Sequence, residues 1–222
     1  MTIDVRDSYY TDRLEQLRLD GERAGFAERE LRTIEILGSI LGSKIFLPGQ
    51  SILDLGCGDQ FLRAGVEARG QLYTGLDIGD CDFEKDTLPV SGASIDTALA
   101  YSVIEHLRDP SVFLNECLRV LKPGGFIILE APNWHFSHRG FFDDFTHVRP
   151  YSPQSLCGLL RSFKFTPLLD VPNLRCRSRF AYTNRYRYRL AAIRPFSGSS
   201  KFIPAFLTGR ALGMIVVAQK PG

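Results

Sequence analysis

The 222-residue sequence has no apolar run of the roughly 18 to 20 residues that a membrane-crossing helix needs. It begins Met-Thr-Ile-Asp-Val-Arg and therefore lacks the charged-then-apolar pattern of a signal peptide. Its five cysteines are scattered and form no C-x-x-C pair, which argues against a disulfide framework or a zinc site. These absences predict a protein of the reducing cytosol whose thiols are mostly buried and inert.

The composition is that of an ordinary soluble globular protein, with 44% hydrophobic and 23% charged residues. The length suits one α/β domain with a sizeable core and is too short for two comfortable ones. We therefore interpret residues 1–222 as a single domain.

Residues 51–59 read Ser-Ile-Leu-Asp-Leu-Gly-Cys-Gly-Asp, an apolar run that ends in Gly56 and Gly58. A strand that enters a glycine-rich turn before a helix commonly binds a cofactor, because glycine lets the backbone approach the ligand. The next apolar run, from Leu72, ends in Asp77. An acid at the end of the second strand accepts hydrogen bonds from ribose hydroxyls in nucleotide-binding folds. An ordinary tight turn is the alternative explanation for the two glycines.

Asp54 narrows the class of cofactor. The N–H groups of an NAD-binding turn face an anionic pyrophosphate, which a carboxylate two residues before the first glycine would repel. An acid at this position suits a ligand that carries an amine and a sulfonium. At this point the acid-x-Gly-x-Gly pattern resembles the first motif of the class I S-adenosylmethionine-dependent methyltransferases.

The stretch from Asp96 to Gly125 resembles the same superfamily more specifically. It contains Ile-Glu-His-Leu at 104–107 and Arg-Val-Leu-Lys-Pro-Gly-Gly at 119–125, and the resemblance runs from about Gln50 to Pro132. It implies a Rossmann-like methyltransferase fold: α/β, with a doubly wound, mostly parallel, seven-stranded sheet and helices on both faces. The cofactor is expected at the carboxyl ends of the first, second and fourth strands. His106 is expected to support the pocket rather than to catalyse.

The resemblance also implies which residues hold S-adenosylmethionine. Asp54, Gly56 and Gly58 would hold its amino acid end and Asp77 its ribose. Asp82 and Phe83 would meet the adenine, although a solvated acidic loop is the alternative reading of that segment. The full expected set is Asp54, Gly56, Cys57, Gly58, Asp77, Ile78, Asp82, Phe83 and Tyr101.

Within the single domain we distinguish four segments: an N-terminal helical lid (1–49), the cofactor-binding core (50–132), an acceptor-site region (133–162) and a basic insertion (174–212). Within the lid, apolar residues from Ala27 to Leu41 recur at helical spacing. Tyr9 and Tyr10 could belong to a cover over the cofactor or could simply pack. Segments 165–173 and 213–220 are predicted to be the last two strands.

The acceptor-site region holds three of the four histidines. Methyl transfer to a hydroxyl needs alignment and a base. His147 is the first candidate for the base, with Asp144 to orient it, and a structural role for His147 is the alternative. His135 and His138 could suggest a metal pair, but no third ligand can be placed and metal-independent members are common in the resembled family, so the sequence predicts no metal. Ser152 and Pro153 predict the start of a helix.

The basic insertion contains nine arginines and lysines and no acid. The whole chain is +2, so the remaining residues carry −7. This asymmetry indicates an anionic partner: RNA, the pyrophosphate of a nucleotide sugar or polyprenyl-linked glycan, or an anionic membrane surface. The alternative is that the arginines pair with the acidic body of the same protein or of a dimer mate.

The sequence thus predicts an S-adenosylmethionine-dependent methyltransferase that methylates oxygen on a small, or glycan- or lipid-linked, anionic acceptor. The alternatives are an RNA methyltransferase and a catalytically inactive scaffold. Ala-Tyr-Ser follows the fourth strand, where base N-methylation would call for an Asn-Pro-Pro-Tyr-like signature, and this disfavours the RNA reading. We expect a cytoplasmic protein, with peripheral contact at the inner face of the membrane through 174–212 as an option and the oligomeric state open.

Overall fold

The computed structural model describes residues 23–42, 45–174, 179–183 and 212–222. Its helices are α1 (Arg23–Leu41), α2 (Arg63–Glu67), α3 (Ser111–Val120), α4 (Trp134–Ser137), α5 (Pro153–Ser162) and α6 (Arg179–Thr183). Its strands are β1 (Ser51–Leu55), β2 (Leu72–Leu76), β3 (Ile95–Tyr101), β4 (Leu121–Pro132), β5 (Thr166–Pro172) and β6 (Gly213–Gln219). Short 3-10 turns cover Ile104–His106 and Phe141–Asp143.

The strands form one sheet in the order β2-β1-β3-β4-β6-β5. The first four strands are parallel, and β6 runs antiparallel to both β4 and β5. This confirms a doubly wound, mostly parallel α/β fold. The described residues form six strands rather than the expected seven, because 77–94 make turns between β2 and β3. The carboxyl ends of β1, β2 and β3 lie side by side at one edge.

Side chains alternate between two cores, one on each face of the sheet, which is why the strands read as continuous apolar runs. Leu53 and Leu55 join one core with α3 and α5, whereas Ile52 joins the other with α1 and α2. Leu31, Ile34 and Leu37 of α1 are fully buried, as their helical spacing predicts. Helices therefore cover both faces.

The helix after the acceptor-site region begins as predicted. The Ser152 hydroxyl accepts a hydrogen bond from the Ser155 N–H, and the Ser155 hydroxyl accepts one from the Ser152 N–H, which completes a capping box before Pro153. Among the described helices, none combines the length and apolarity that crossing a bilayer requires. Tyr9, Tyr10 and the rest of the lid before Arg23 lie outside the described residues.

The thiols follow the prediction where the structure describes them. Cys57, Cys81 and Cys117 are buried and free, and Cys157 is partly buried and free. Burial is the main cause that raises the pKa of Cys81 to about 11, so this thiol is un-ionised and unreactive at neutral pH. Cys176 lies outside the described residues.

Candidate functional site

The turn after β1 requires glycine. Gly56 has a φ of +78°, and its N–H donates to the Leu76 carbonyl at 2.8 Å. A Cβ at this residue would lie 2.4 Å from Cγ2 of Val103. The positive φ and the close packing against Val103 both require glycine at the carboxyl edge of the sheet, where ligands of such folds bind.

Asp77 ties this turn to the end of β2. Its Oδ2 accepts a hydrogen bond from the Gly58 N–H at 2.5 Å, and its Oδ1 accepts one from the Ile78 N–H at 2.7 Å. Ile78 is 41% exposed beside this carboxylate. An acid next to an exposed apolar side chain fits a nucleoside, whose ribose hydroxyls can donate to the acid while its base covers the apolar surface.

Asp54 is buried at the end of β1, with 2% of its surface exposed. The Tyr73 hydroxyl donates to its Oδ2 at 2.7 Å. Burial raises the pKa of Asp54 to about 6, the nearby charge of Asp77 adds to the rise, and the Tyr73 bond opposes it. Burial, with the charges of Asp54 and Asp77, also raises the pKa of Cys57 to about 12. A buried acid of this kind fits the ammonium group of an amino acid, because a cation would compensate its charge.

Asp82 and Phe83 occupy different environments. Asp82 accepts hydrogen bonds from Lys85 Nζ and from the Glu84 N–H. The Phe83 side chain is 8% exposed and lies in the core, with its ring centroid 5.7 Å from that of Phe113. The adenine contact through this segment stays a prediction.

Two unusual residues follow one another at the end of β3. The Tyr101 hydroxyl is buried without a hydrogen-bond partner among the described residues, and burial raises its pKa well above the ordinary value. Ser102 has a positive φ of 54°, and its hydroxyl donates to Glu130 at 3.1 Å. Strained backbone and unsatisfied polar groups concentrate at functional sites, which supports Tyr101 as part of the site.

His147 lies in the acceptor-site region, with 14% of its side chain exposed. Its Nδ1 lies 2.6 Å from the Phe141 carbonyl. Since a carbonyl only accepts, Nδ1 carries the proton and a neutral ring keeps its lone pair on Nε2. Asp144 is predicted to orient the His147 ring, but its Oδ2 is 3.9 Å from Nε2, beyond hydrogen-bond range. The orienting bond comes from Phe141 instead.

Asp144 is engaged by its own loop. Its Oδ1 accepts hydrogen bonds from the Thr146 N–H at 3.0 Å and from the Thr146 hydroxyl at 2.5 Å. Burial alone would raise the pKa of Asp144, but these bonds and the neighbouring His147 and His106 outweigh it and the pKa is lowered. Because the Thr146 hydroxyl donates its hydrogen bond to Asp144, its oxygen accepts the hydrogen bond from His106 Nδ1 at 3.0 Å. His106 is therefore protonated on Nδ1, like His147.

Sequence reasoning missed Glu105. Its carboxyl group is 0% exposed, and burial together with the charges of Glu130 and Asp144 raises its pKa well above the ordinary value. One of its oxygens and one ring nitrogen of each of His106 and His147 lie within 4.8 Å of one another, a set that could hold a metal ion. The signal in the sequence was an acid inside the apolar run 103–107, since acids are seldom fully buried without a reason.

An aromatic wall adjoins the histidines. We use this name for Trp134, Phe141 and Phe142, which meet edge to face with ring centroids 5.0 to 6.3 Å apart. Phe141 also contacts the His147 ring at 4.6 Å. Phe142 is 61% exposed and Phe145 is 58% exposed. The wall therefore places open apolar surface beside a histidine that holds a lone pair.

The basic insertion leaves and re-enters the sheet at this same end. The Asn173 N–H donates to the Gly213 carbonyl at 2.9 Å, and the Asn133 N–H donates to the Leu212 carbonyl at 2.7 Å. Most of the insertion, including eight of its nine basic residues, lies outside the described residues. Its predicted anionic partner stays a prediction.

Comparison with known proteins adds sequence and structural relatives. A 31% identical protein of Mycolicibacterium smegmatis, described as a "Probable S-adenosylmethionine-dependent methyltransferase", aligns over 53% of this chain and 52% of its own length. The ubiquinone biosynthesis O-methyltransferase of Marinobacter nauticus is 26% identical over 42% of this chain and 48% of its own length. The chain thus spans about half the length of the curated relatives it matches.

Solved structures show the same fold. An S-adenosylmethionine-dependent methyltransferase from Archaeoglobus fulgidus superposes with a TM-score of 0.52 at 19% identity, covering 86% of this chain and 94% of its own. One from Aquifex aeolicus gives 0.54 at 14% identity, covering 94% and 97%. The methyltransferase-domain family model matches residues 10–169, well over half of the chain. The chain therefore belongs to the methyltransferase-domain family.

Proposed function

We propose that this protein transfers a methyl group from S-adenosylmethionine to a hydroxyl oxygen of an acceptor bound beside His147. The observation that carries the proposal is the joint placement of two features at one end of the sheet. The cofactor cradle ends β1 and β2, and the histidines with the aromatic wall follow β3 and β4. Parallel α/β sheets bind ligands at their carboxyl ends.

The residues present fit the cofactor. S-adenosylmethionine supplies an electrophilic methyl group on a sulfonium. Asp54 would pair with its ammonium group, Asp77 would accept from its ribose hydroxyls, and Ile78 would be covered by its adenine. The turn at Gly56, whose φ is +78°, would bring the backbone close to it.

The acceptor half of the site supports oxygen as the methylated atom. The His147 Nε2 lone pair can take the proton of a hydroxyl, which is the role the sequence predicts. The aromatic wall can hold the rest of the acceptor and exclude water. The names of curated relatives that are O-methyltransferases point the same way.

We further propose that the acceptor is anionic and of glycan or lipid-linked type. The support is the charge of the basic insertion, +9 without a single acid, and the return of its last residue, Leu212, to Asn133 next to the aromatic wall. Arginine side chains bind phosphate and pyrophosphate oxygens in pairs. Peripheral membrane contact would follow if the acceptor is carried by a lipid.

The first test is calorimetric titration with S-adenosylhomocysteine. We expect micromolar binding by the wild type and a loss of at least about 100-fold in Asp77→Ala, since hydrogen bonds to a charged group contribute about 1.5–3 kcal/mol each. Glu67→Ala, which removes an exposed acid on α2, is the matched control and should bind as the wild type does. Folded wild-type protein that does not bind would contradict the cofactor assignment.

The second test is transfer of a labelled methyl group to a panel of phenols, sugars, nucleotide sugars, polyprenyl-linked glycans and RNA. We expect a hydroxyl acceptor from the anionic glycan group, and a fall in kcat of about 10²- to 10⁴-fold in His147→Gln with cofactor affinity kept. Turnover of His147→Gln at the wild-type rate, or methylation of nitrogen alone, would refute the proposal.

A further inference from the structure

The carboxyl group of Glu105 is buried, and no lysine or arginine of the described residues offsets its negative charge. Both of its carboxyl oxygens are buried and have no hydrogen-bond partner among the described residues. Among the residues that the structure describes, no lysine or arginine forms an ion pair with Glu105. Burying a carboxylate alone is costly, so buried acids are normally paired, protonated or bound to a metal.

The two histidines near Glu105 each donate a hydrogen bond from Nδ1–H. His147 donates Nδ1–H to the Phe141 carbonyl, and His106 donates Nδ1–H to Thr146, which in turn donates to Asp144. Outer hydrogen bonds to Nδ1–H fix the tautomer and orientation of metal-binding histidines and direct Nε2 to the ion. Neither histidine needs to change tautomer to act as a ligand.

The three groups are already close and their backbones are joined. A carboxyl oxygen of Glu105 and a ring nitrogen of each histidine lie within 4.8 Å of one another. The Glu105 carbonyl accepts hydrogen bonds from the N–H groups of Val148 and Arg149, at 2.9 and 3.0 Å. Bonds of about 2.0–2.2 Å to one ion allow ligand atoms at most about 4.4 Å apart, so small side-chain rotations complete the set.

We propose that Glu105, His106 and His147 bind a divalent transition-metal ion. Imidazole nitrogens favour ions such as Zn²⁺, Co²⁺ or Fe²⁺, and one carboxylate also suits Mn²⁺, whereas Ca²⁺ prefers oxygen ligands alone. Three protein ligands leave a position open for an exogenous oxygen, as in catalytic sites. The inference replaces the expectation of no metal, which rested on His135 and His138 lacking a third ligand.

The ion would act on the acceptor hydroxyl. A divalent ion lowers the pKa of a hydroxyl that coordinates it, so the proton can leave to solvent. The C–O bond then forms as the S–CH3 bond breaks, and a neutral thioether remains. When the ion is bound, His147 Nε2 is a ligand and solvent takes the proton; the role of His147 as base applies to the site without the ion. This use of the ion depends on the proposed O-methylation, whereas binding of the ion does not.

The test begins with metal binding by protein dialysed against EDTA. We expect one equivalent of Co²⁺ to bind with a visible absorption band, and Zn²⁺ to compete for the same site. Glu105→Gln and His147→Gln should each weaken Co²⁺ binding at least about tenfold. His135→Gln removes a histidine outside the set and should bind as the wild type does.

Different outcomes test the metal site, the role of the ion and the proposed function separately. Absence of saturable binding of Co²⁺, Zn²⁺ and Mn²⁺ by the wild type, or binding that both ligand variants retain, would overturn the site. If Glu105→Gln does not fold, an increase in Tm with Zn²⁺ that occurs in the wild type and not in His147→Gln supports it. Methyl transfer that survives EDTA dialysis unchanged would overturn the role of the ion, whereas Co²⁺ binding without methyl transfer to any hydroxyl would contradict the proposed function alone.

Discussion

Asp54→Asn should make the protein more stable above pH 6. The pKa of Asp54 in the folded protein is about 6, above the ordinary 3.8, so the folded state holds the proton more tightly than the unfolded state does. Stability is therefore lost as the pH rises from about 4 through 6, by about 3 kcal/mol for two pH units of difference. Asparagine avoids this cost and can keep the hydrogen bond from Tyr73.

The measurement is urea unfolding of both proteins at pH 4, 6 and 8. The advantage of Asp54→Asn should be near zero at pH 4 and reach its full size at pH 8. A variant that is less stable than the wild type at pH 8 would show that the ionised acid stabilises the fold, contrary to the argument from burial.

The substitution Asp54→Asn should also weaken cofactor binding. Removing one member of a buried charge pair costs about 3–5 kcal/mol, so the affinity for S-adenosylhomocysteine should fall at least about 100-fold. Wild-type affinity should also weaken as the pH falls through 6, because a protonated Asp54 no longer carries the charge. Near pH 6 the wild type should release a proton on binding, detected as a dependence of the calorimetric heat on buffer. If Asp54→Asn bound with wild-type affinity, Asp54 would not be the partner of the ammonium group.

Gly56→Ala should destabilise the fold by about 2–5 kcal/mol. A positive φ costs a residue with a side chain about 1–2 kcal/mol, and the added Cβ meets Val103 Cγ2 at 2.4 Å. Gly79→Ala is the matched control, because nothing lies within 4 Å of its added Cβ and its φ is not in the left-handed region. Denaturant unfolding measures both.

A double variant separates the two causes. In a Val103→Ala background the clash is removed, so Gly56→Ala should cost less there, with only the φ strain remaining. Equal costs in the two backgrounds would mean that Val103 does not crowd the turn.

The grouping of the predicted cofactor-binding residues at one edge of the sheet could be foreseen because its signals are local. Gly56, Gly58 and Asp77 each follow an apolar strand directly, and parallel strands bring their carboxyl ends together. The acceptor end could not be predicted in the same way. Glu105 and His147 are 42 residues apart and meet only after β4 and two short turns have returned the chain.

The direction of individual side chains and the number of strands in the sheet could not be predicted from the sequence either. An aromatic side chain near a strand end can face a ligand or the core, and the sequence does not decide between them; the Phe83 side chain is buried against Phe113. The seventh strand was an expectation from resemblance, and the segment 77–94 carries too few apolar residues in alternation to pair at the edge.

The antiparallel strand β6 determines how the basic insertion is anchored to the sheet. Since β6 pairs with β5, the basic insertion joins two paired strand ends, where Pro172 lies opposite Met214. Closing a loop between adjacent anchors costs only about 0.6 kcal/mol more for each doubling of its length. A change in the length of the insertion should therefore cost little stability, and the strands β1 to β4 should keep their pairing.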